Sequence, residues 1–282
     1  DISIKEVTND IVAYYPLDAN SSPKLPLFNG ETTSNNGNYI DLGRVNLYQG
    51  AFSVSYWIRQ DVVDSTRGHF ILPFKTDNAD VNGSQLFQST DWASPYVRWM
   101  IRTQATANLL SYLGSWGGAG ISYTSADNFG VGWHHIVATF DGTTNADSYK
   151  IWIDGVNRVN GTSGVTSLTD DGNNLYMGTV HGIYGGSEQF KGFMHNVAIF
   201  DNSKLTDANI ADIYALKRDG DIRTKLSPTH YYNHSINSWS SSSGGITDIT
   251  GDKNGTLIGA SFNESVFQVN DLTSNDNDGE LK

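Results

Sequence analysis

Trp92, Tyr96, Trp116, Tyr123 and Tyr184 stand in or beside stretches that read as loops. An aromatic face held there can stack on the C–H face of a pyranose, while nearby amides and carboxylates bind its hydroxyls. Asp91, Asn108, Asn128 and Asn174 can supply those hydrogen bonds. The five aromatic residues therefore form the candidate carbohydrate-binding set. A second chemistry is suggested by oxygen donors. Asp18 and Asn20 follow the first expected strand, and Asp41 ends a second one. Calcium takes carboxylate and amide oxygens of this kind, so these three residues are the candidate metal ligands, for a structural calcium ion. No EF-hand spacing is present. His134 and His135 are adjacent in a strand-like stretch, where neighbouring side chains point to opposite faces and do not converge on one ion. The remaining histidines show no His-x-x-x-His or His-Glu spacing for zinc, and no Gly-x-Ser-x-Gly elbow is found.

The whole chain narrows the classes further. It has 282 residues and a formal net charge of −12. An acidic chain is a poor match for nucleic acid or an anionic membrane surface, both of which select a basic face. There is no cysteine, which excludes a disulfide framework, a zinc–thiolate site and a cysteine nucleophile. No apolar run approaches the roughly 20 residues that cross a bilayer. The first residue is Asp1 instead of Met, read as a trimmed or processed boundary.

The elements that must position these residues read as short strands. Phe52, Val54, Tyr56 and Ile58 alternate with Ser53, Ser55 and Trp57, which predicts a strand with one buried face. Gly132-Trp133-His134-His135-Ile136-Val137-Ala138-Thr139-Phe140 and Tyr149-Lys150-Ile151-Trp152-Ile153 predict a hairpin, with turn chemistry from Asp141-Gly142 and Asp154-Gly155. Further strands are expected over 11–18, 39–42, 70–74, 96–101, 174–178 and 190–200. One helix is expected from Thr206 to Lys217, with Thr206 as its N-cap and Ile210, Ile213 and Tyr214 on one face. Lys217 and Arg218 then suit the negative end of its dipole. Many short strands between turn clusters indicate a sandwich or barrel.

"GWHHIVATFDG…YKIWIDG", "FSVSYWIRQ" and "FKGFMHNVAIFDNSKLTDANIADIYAL" together resemble the laminin-G-like, concanavalin A-like jelly roll, over about residues 10–217. The resemblance implies an all-β sandwich with one short helix over 1–217 and a small β-rich C-terminal appendage over 218–282. The family's enzymes carry Glu-x-Asp-x-x-Glu on one strand or a Gln-x-His motif. Here Glu6, Glu31, Glu188, Glu264 and Glu280 are scattered, and neither pattern occurs. Many relatives have an acidic pair in the closing strand where this chain has His195 and Asn196. The tail, with Ser227-Pro228-Thr229-His230-Tyr231-Tyr232 and "ITDITGDKNGT", is similar to tails that follow such jelly rolls in virion proteins of tailed marine phages.

The expectation is a non-enzymatic virion structural protein (a decoration, fibre or tail-associated subunit) displaying a lectin-like domain on the particle surface. Its expected partners are surface glycans and other virion proteins or copies of itself in a homo-oligomer, with no nucleic acid and no membrane insertion. An adhesive module of a secreted bacterial protein is the alternative reading, and a polysaccharide-degrading enzyme the third.

Overall fold

The computed structural model describes residues 27–29, 39–60, 67–73, 97–104, 108–113, 119–123, 132–168, 170, 172, 174–178, 190–233, 245–258, 268–269 and 279–280. The strand expected over 11–18 lies outside them. The alternation in Phe52–Gln60 (β3) does what its pattern dictates. Phe52, Val54, Tyr56 and Ile58 all enter one apolar core. That core is closed by two antiparallel sheets, as the all-β sandwich expectation requires.

The first sheet runs β1 (Leu27–Asn29), β12 (Lys191–Asp201), β3, β8 (Gly132–Phe140), β9 (Tyr149–Ile153) and β10 (Val156–Gly161), with β13 (His230–Tyr232) also beside β12. The second runs β14 (Gly245–Ile246), β15 (Gly255–Ile258), β2 (Tyr39–Asp41), β11 (Tyr176–Met177), β4 (Arg67–Pro73), β5 (Val97–Gln104), β6 (Asn108–Leu113) and β7 (Ala119–Tyr123). β16 (Gln268–Val269) pairs β17 (Gly279–Glu280) separately. Between the sheets the ring of Phe52 meets the edges of Trp99 and Phe140 at 5.5 and 5.7 Å. The Trp99 indole donates to the Tyr149 hydroxyl at 2.7 Å, so the largest core polar atoms are paired.

The expected hairpin is present. β8 and β9 pair from Phe140↔Tyr149 to Ile136↔Ile153. Asp154 and Gly155 link β9 to β10 with φ of 52° and 74°, the two left-handed residues that a tight hairpin turn needs. Gly155 is also the seat of Tyr214, because a Cβ there would stand 2.6 Å from the Tyr214 ring.

The outer face of the first sheet carries a second core. Val137, Trp152, Ala198 and Phe200 are covered by Leu205, Ile210, Ile213, Ile222 and Tyr231. Ile210 and Ile213 come from α1 (Asp207–Ala215), whose N-terminus is a capping box: Asn209 N donates to Thr206 Oγ1 and Thr206 N to Asn209 Oδ1, at 3.2 and 3.0 Å. The expected helix end is corrected. The C-cap is Leu216, and Lys217 lies beyond it in the left-handed region at φ 61°. No basic residue occupies the last turn. Arg218 instead turns back, donates to Asp219 at 2.6 Å and lies over the Trp133 ring.

The sequence leaves open where the tail packs. Its described part adds a strand to each sheet, since β13 pairs β12 and β15 pairs β2. Asp248, the Asp of the "ITD" motif, binds these pieces. Its carboxylate accepts from the backbone N–H of Tyr231, Gly251 and Lys253 at 2.9, 3.0 and 3.1 Å.

The closing strand β12 breaks register with β3 between His195 and Ala198. Asn196 sits in this bulge with φ 50° and is 1% exposed. Its Nδ2 donates to the carbonyls of Arg218 and Gly220 at 2.8 and 2.9 Å, and its Oδ1 accepts from the Tyr231 hydroxyl at 2.7 Å. Asn196→Gly keeps the backbone conformation and removes every one of these bonds. It is expected to cost about 3 kcal/mol in urea unfolding, from the stranded buried partners. Asn196→Ala adds left-handed strain of about 1 kcal/mol. A neutral glycine variant overturns this role.

Candidate functional site

A consequence of the β3 pleat is that Trp57 points away from the main core. So do Trp133 and His135 on β8, which stand beside Arg59 and Trp57 across the ladder. Trp57, His135 and Tyr214 stack with nearly parallel planes, at centroid distances of 5.1, 5.7 and 5.9 Å. Trp133 lies under the Arg218 guanidinium, 4.8 Å from its centroid. α1 covers only part of this face. Beyond its C-terminal end a pocket of about 350 Å³ opens, lined by Trp57, Trp133, His134, Asp154, Tyr214, Lys217 and Arg218.

The polar groups are fixed from below. Asp154 accepts from the His135 backbone N–H at 2.9 Å and pairs with His134 Nδ1 at 2.8 Å. Burial opposes its ionisation, but these bonds outweigh it and hold the carboxyl below its ordinary value. Asp219 is likewise partly buried, which opposes its ionisation, yet His195 and Arg218 hold it well below the usual carboxylate range. It thereby anchors Arg218 over Trp133. His195 Nε2 is 3.1 Å from Asp219, and Asn196 holds the Arg218–Gly220 turn. The two residues at the family's acidic positions thus build the wall of this pocket. Lys217 places its ammonium 5.4 Å from the Tyr214 centroid. The arrangement offers aromatic surface, a carboxylate acceptor and cationic donors around one opening, which is the chemistry of a saccharide site. His134 and His135 both contact Asp154, one through its ring and one through its backbone, and neither is placed as a metal ligand.

Of the candidate carbohydrate residues, Trp92, Tyr96, Trp116 and Tyr184 lie outside the described residues, and Tyr123 is placed only as the last residue of β7. Asp18 and Asn20 also lie outside. Asp41 is described: its carboxylate accepts from Gly43 N at 2.8 Å and from Asn174 Nδ2 at 3.0 Å. Among the described residues no group of three or more His, Asp or Glu side chains is arranged to hold a metal ion. Sequence reading passed over Trp57, Trp133 and Tyr214 as strand and helix residues. Pleat parity carried the missing signal, because Trp57 is out of phase with Phe52, Val54, Tyr56 and Ile58.

Comparisons with known proteins agree with this architecture. A family model described as the concanavalin A-like lectin/glucanases superfamily matches residues 34–211. The fold is similar to that of a candidate carbohydrate-binding protein from Bacteroides ovatus, with a TM-score of 0.59 and 16% identity over 86% of this chain. This chain spans 61% of that protein's length. It also resembles, with a TM-score of 0.47 and 11% identity, a heptameric SAP-like pentraxin from Limulus polyphemus, over 72% of this chain and 87% of that one. No curated protein matches.

His135 gives the site a pH signature. Burial lowers its pKa from 6.5 to about 4, against the pull of Asp154. The unfolded chain therefore takes up the proton first as pH falls. The stabilisation is complete above pH 6.5 and is lost between 6.5 and 4, by about 3 kcal/mol. In unfolding titrations, the difference between wild type and His135→Gln should show this loss. A difference independent of pH contradicts the assignment.

Proposed function

From its membership of the concanavalin A-like lectin/glucanases superfamily, to which this chain belongs, we infer that it is a glycan-binding, adhesive module that uses the Trp133–Tyr214 pocket. The observation that carries this reading is the convergence of Trp133, Tyr214, Asp154 and Lys217 on one opening. A ring stacked on a sugar face contributes about 1 kcal/mol, so single contacts are weak and copies on one carrier raise avidity. A homo-oligomer displayed on a virion surface fits that need. The setting itself is supported by the tail's resemblance to virion proteins of tailed phages. The absence of the family's catalytic carboxylate motif from the sequence supports binding without hydrolysis.

The test is a glycan array probed with wild type, Trp133→Ala and Tyr214→Ala, each checked for its unfolding midpoint. Saturable binding that falls about fivefold or more in either folded variant supports the pocket. No saturable binding by wild type, or unchanged binding in both variants, overturns it. Parallel arrays with EDTA test the calcium proposed on Asp18, Asn20 and Asp41: loss of binding restored by added Ca²⁺ is the expected result. Antibodies against the domain should label phage particles in immunogold microscopy, and label found only on secreted bacterial material favours the other carrier.

A further inference from the structure

A second pocket, of about 490 Å³, opens at the rim where β12 ends and β13 begins. Its charged lining is Arg44, Asp170, Asp201, His230, Asp252 and Lys253. Arg44 pairs with Asp170 at the edge. The Asp201 carboxylate has no hydrogen bond among the described residues. Its side chain is 11% exposed, and Oδ1 is buried. Its Oδ2 stands 3.8 Å from His230 Nε2, beyond hydrogen-bond reach.

His230 is 6% exposed at its side chain and is aimed by its other nitrogen. Nδ1 lies 2.6 Å from Asp248 Oδ2. Asp248 is held ionised, with a pKa of about 2: burial opposes this, and the bonds from His230, Tyr231, Gly251 and Lys253 prevail. An ionised acceptor fixes the proton on Nδ1 and leaves Nε2 facing Asp201. Asp201 Oδ2 and His230 Nε2 therefore face each other at the cavity across a gap that neither closes. Two hydroxyl hydrogens, one donated to each atom from oxygens about 2.8 Å away, complete both bonds. The lining is polar, and Arg44 and Lys253 balance Asp170 and Asp252, which suits a neutral ligand rich in hydroxyls.

We propose that Asp201 and His230 form a second ligand subsite that reads a vicinal diol of a saccharide, separate from the aromatic pocket. One hydroxyl of the diol donates to the Asp201 carboxylate, and its neighbour donates to the unprotonated His230 Nε2. The saccharide class rests on the glycan-binding reading above, but the site rests on its own geometry. Its cost is consistent with a binding role, since burial raises the Asp201 pKa to about 6 and the neighbouring His230 offsets only part of that rise.

The experiment follows the His230 ring nitrogens by NMR while glucose, galactose and mannose are titrated into the full chain at millimolar concentrations. Wild type, Asp201→Asn and Trp133→Ala are compared. The expected result is a saturable shift of His230 in wild type and in Trp133→Ala, and its loss in Asp201→Asn. That variant should also have a higher Tm than wild type at pH 7.5, which shows that it is folded. If His230 does not respond to any of the three sugars in wild type, or responds equally in Asp201→Asn, the subsite is overturned. Failure of the aromatic pocket alone leaves the His230 response intact, so the two readings fail separately.

Discussion

Asn196 is the point on which the parts of this molecule outside the main core depend. A central strand ordinarily has no free donors or acceptors to offer its neighbours. The bulge in β12 releases one residue from the ladder and turns its amide outward. That amide then takes two carbonyls from the turn after α1 and one hydroxyl from β13. Tyr231 passes the connection on, because its hydroxyl also accepts from Ile222 N and Asn233 Nδ2 at 3.1 and 2.7 Å. The helix exit, the 3₁₀ turn Ile222–Thr224 and the tail strand are therefore tied to the closing strand by one buried, paired network. The left-handed backbone of Asn196 is tolerated because asparagine enters that region more cheaply than most residues.

The network matters because the first sheet is buried on both faces. Its inner face packs against the second sheet, and its outer face against α1 and Tyr231. Ser53 and Ser55 show how polar residues survive there. Ser53 Oγ donates to Ser203 O and accepts from Leu205 N, while Ser55 Oγ meets His135 Nε2. The helix covers the sheet only as far as Tyr214, and the uncovered remainder is the aromatic pocket. The site is thus the edge of the second core, and its aromatic residues are held by the same stacking that excludes water beside it.

The parts of the fold legible in the sequence were those governed by local rules. Alternation in 52–58, the Asp154-Gly155 turn and the Thr206 cap each have a short-range cause, and each element formed. The location of the site was not legible, because it depends on which elements cover which face. Trp133 looks like a core residue until α1 is seen to stop short of it, and Trp57 until its ring is found stacked on Tyr214 of α1. His195 and Asn196 look like mere replacements of the relatives' acidic pair until the turn at 218–220 is placed against them. The tail presents the same difficulty. "ITDITGDKNGT" reads as turn chemistry, and Asp248 does organise turns, but it also aims His230 and links strands of opposite sheets. Such contacts are long-range and leave no periodicity behind.

Two buried titratable groups separate structure from function. His135 and Asp201 both change charge against the cost of burial, yet with opposite consequences. Neutral His135 stacks against both Trp57 and Tyr214 and meets Ser55, so its charged form is what the fold resists. Asp201 has its neutral form favoured, so its ionised form, the one present at neutral pH, is what the fold resists. Between about pH 4 and 6 the first group loses stability as pH falls while the second gains it, and their contributions oppose. A residue kept for stability alone would lie on the favourable side at neutral pH, as His135 does. Asp201 lies on the unfavourable side, at the mouth of a polar cavity, with an oriented histidine facing it. The free energy that the fold forgoes there is available to whatever pair of hydroxyls donates to both groups.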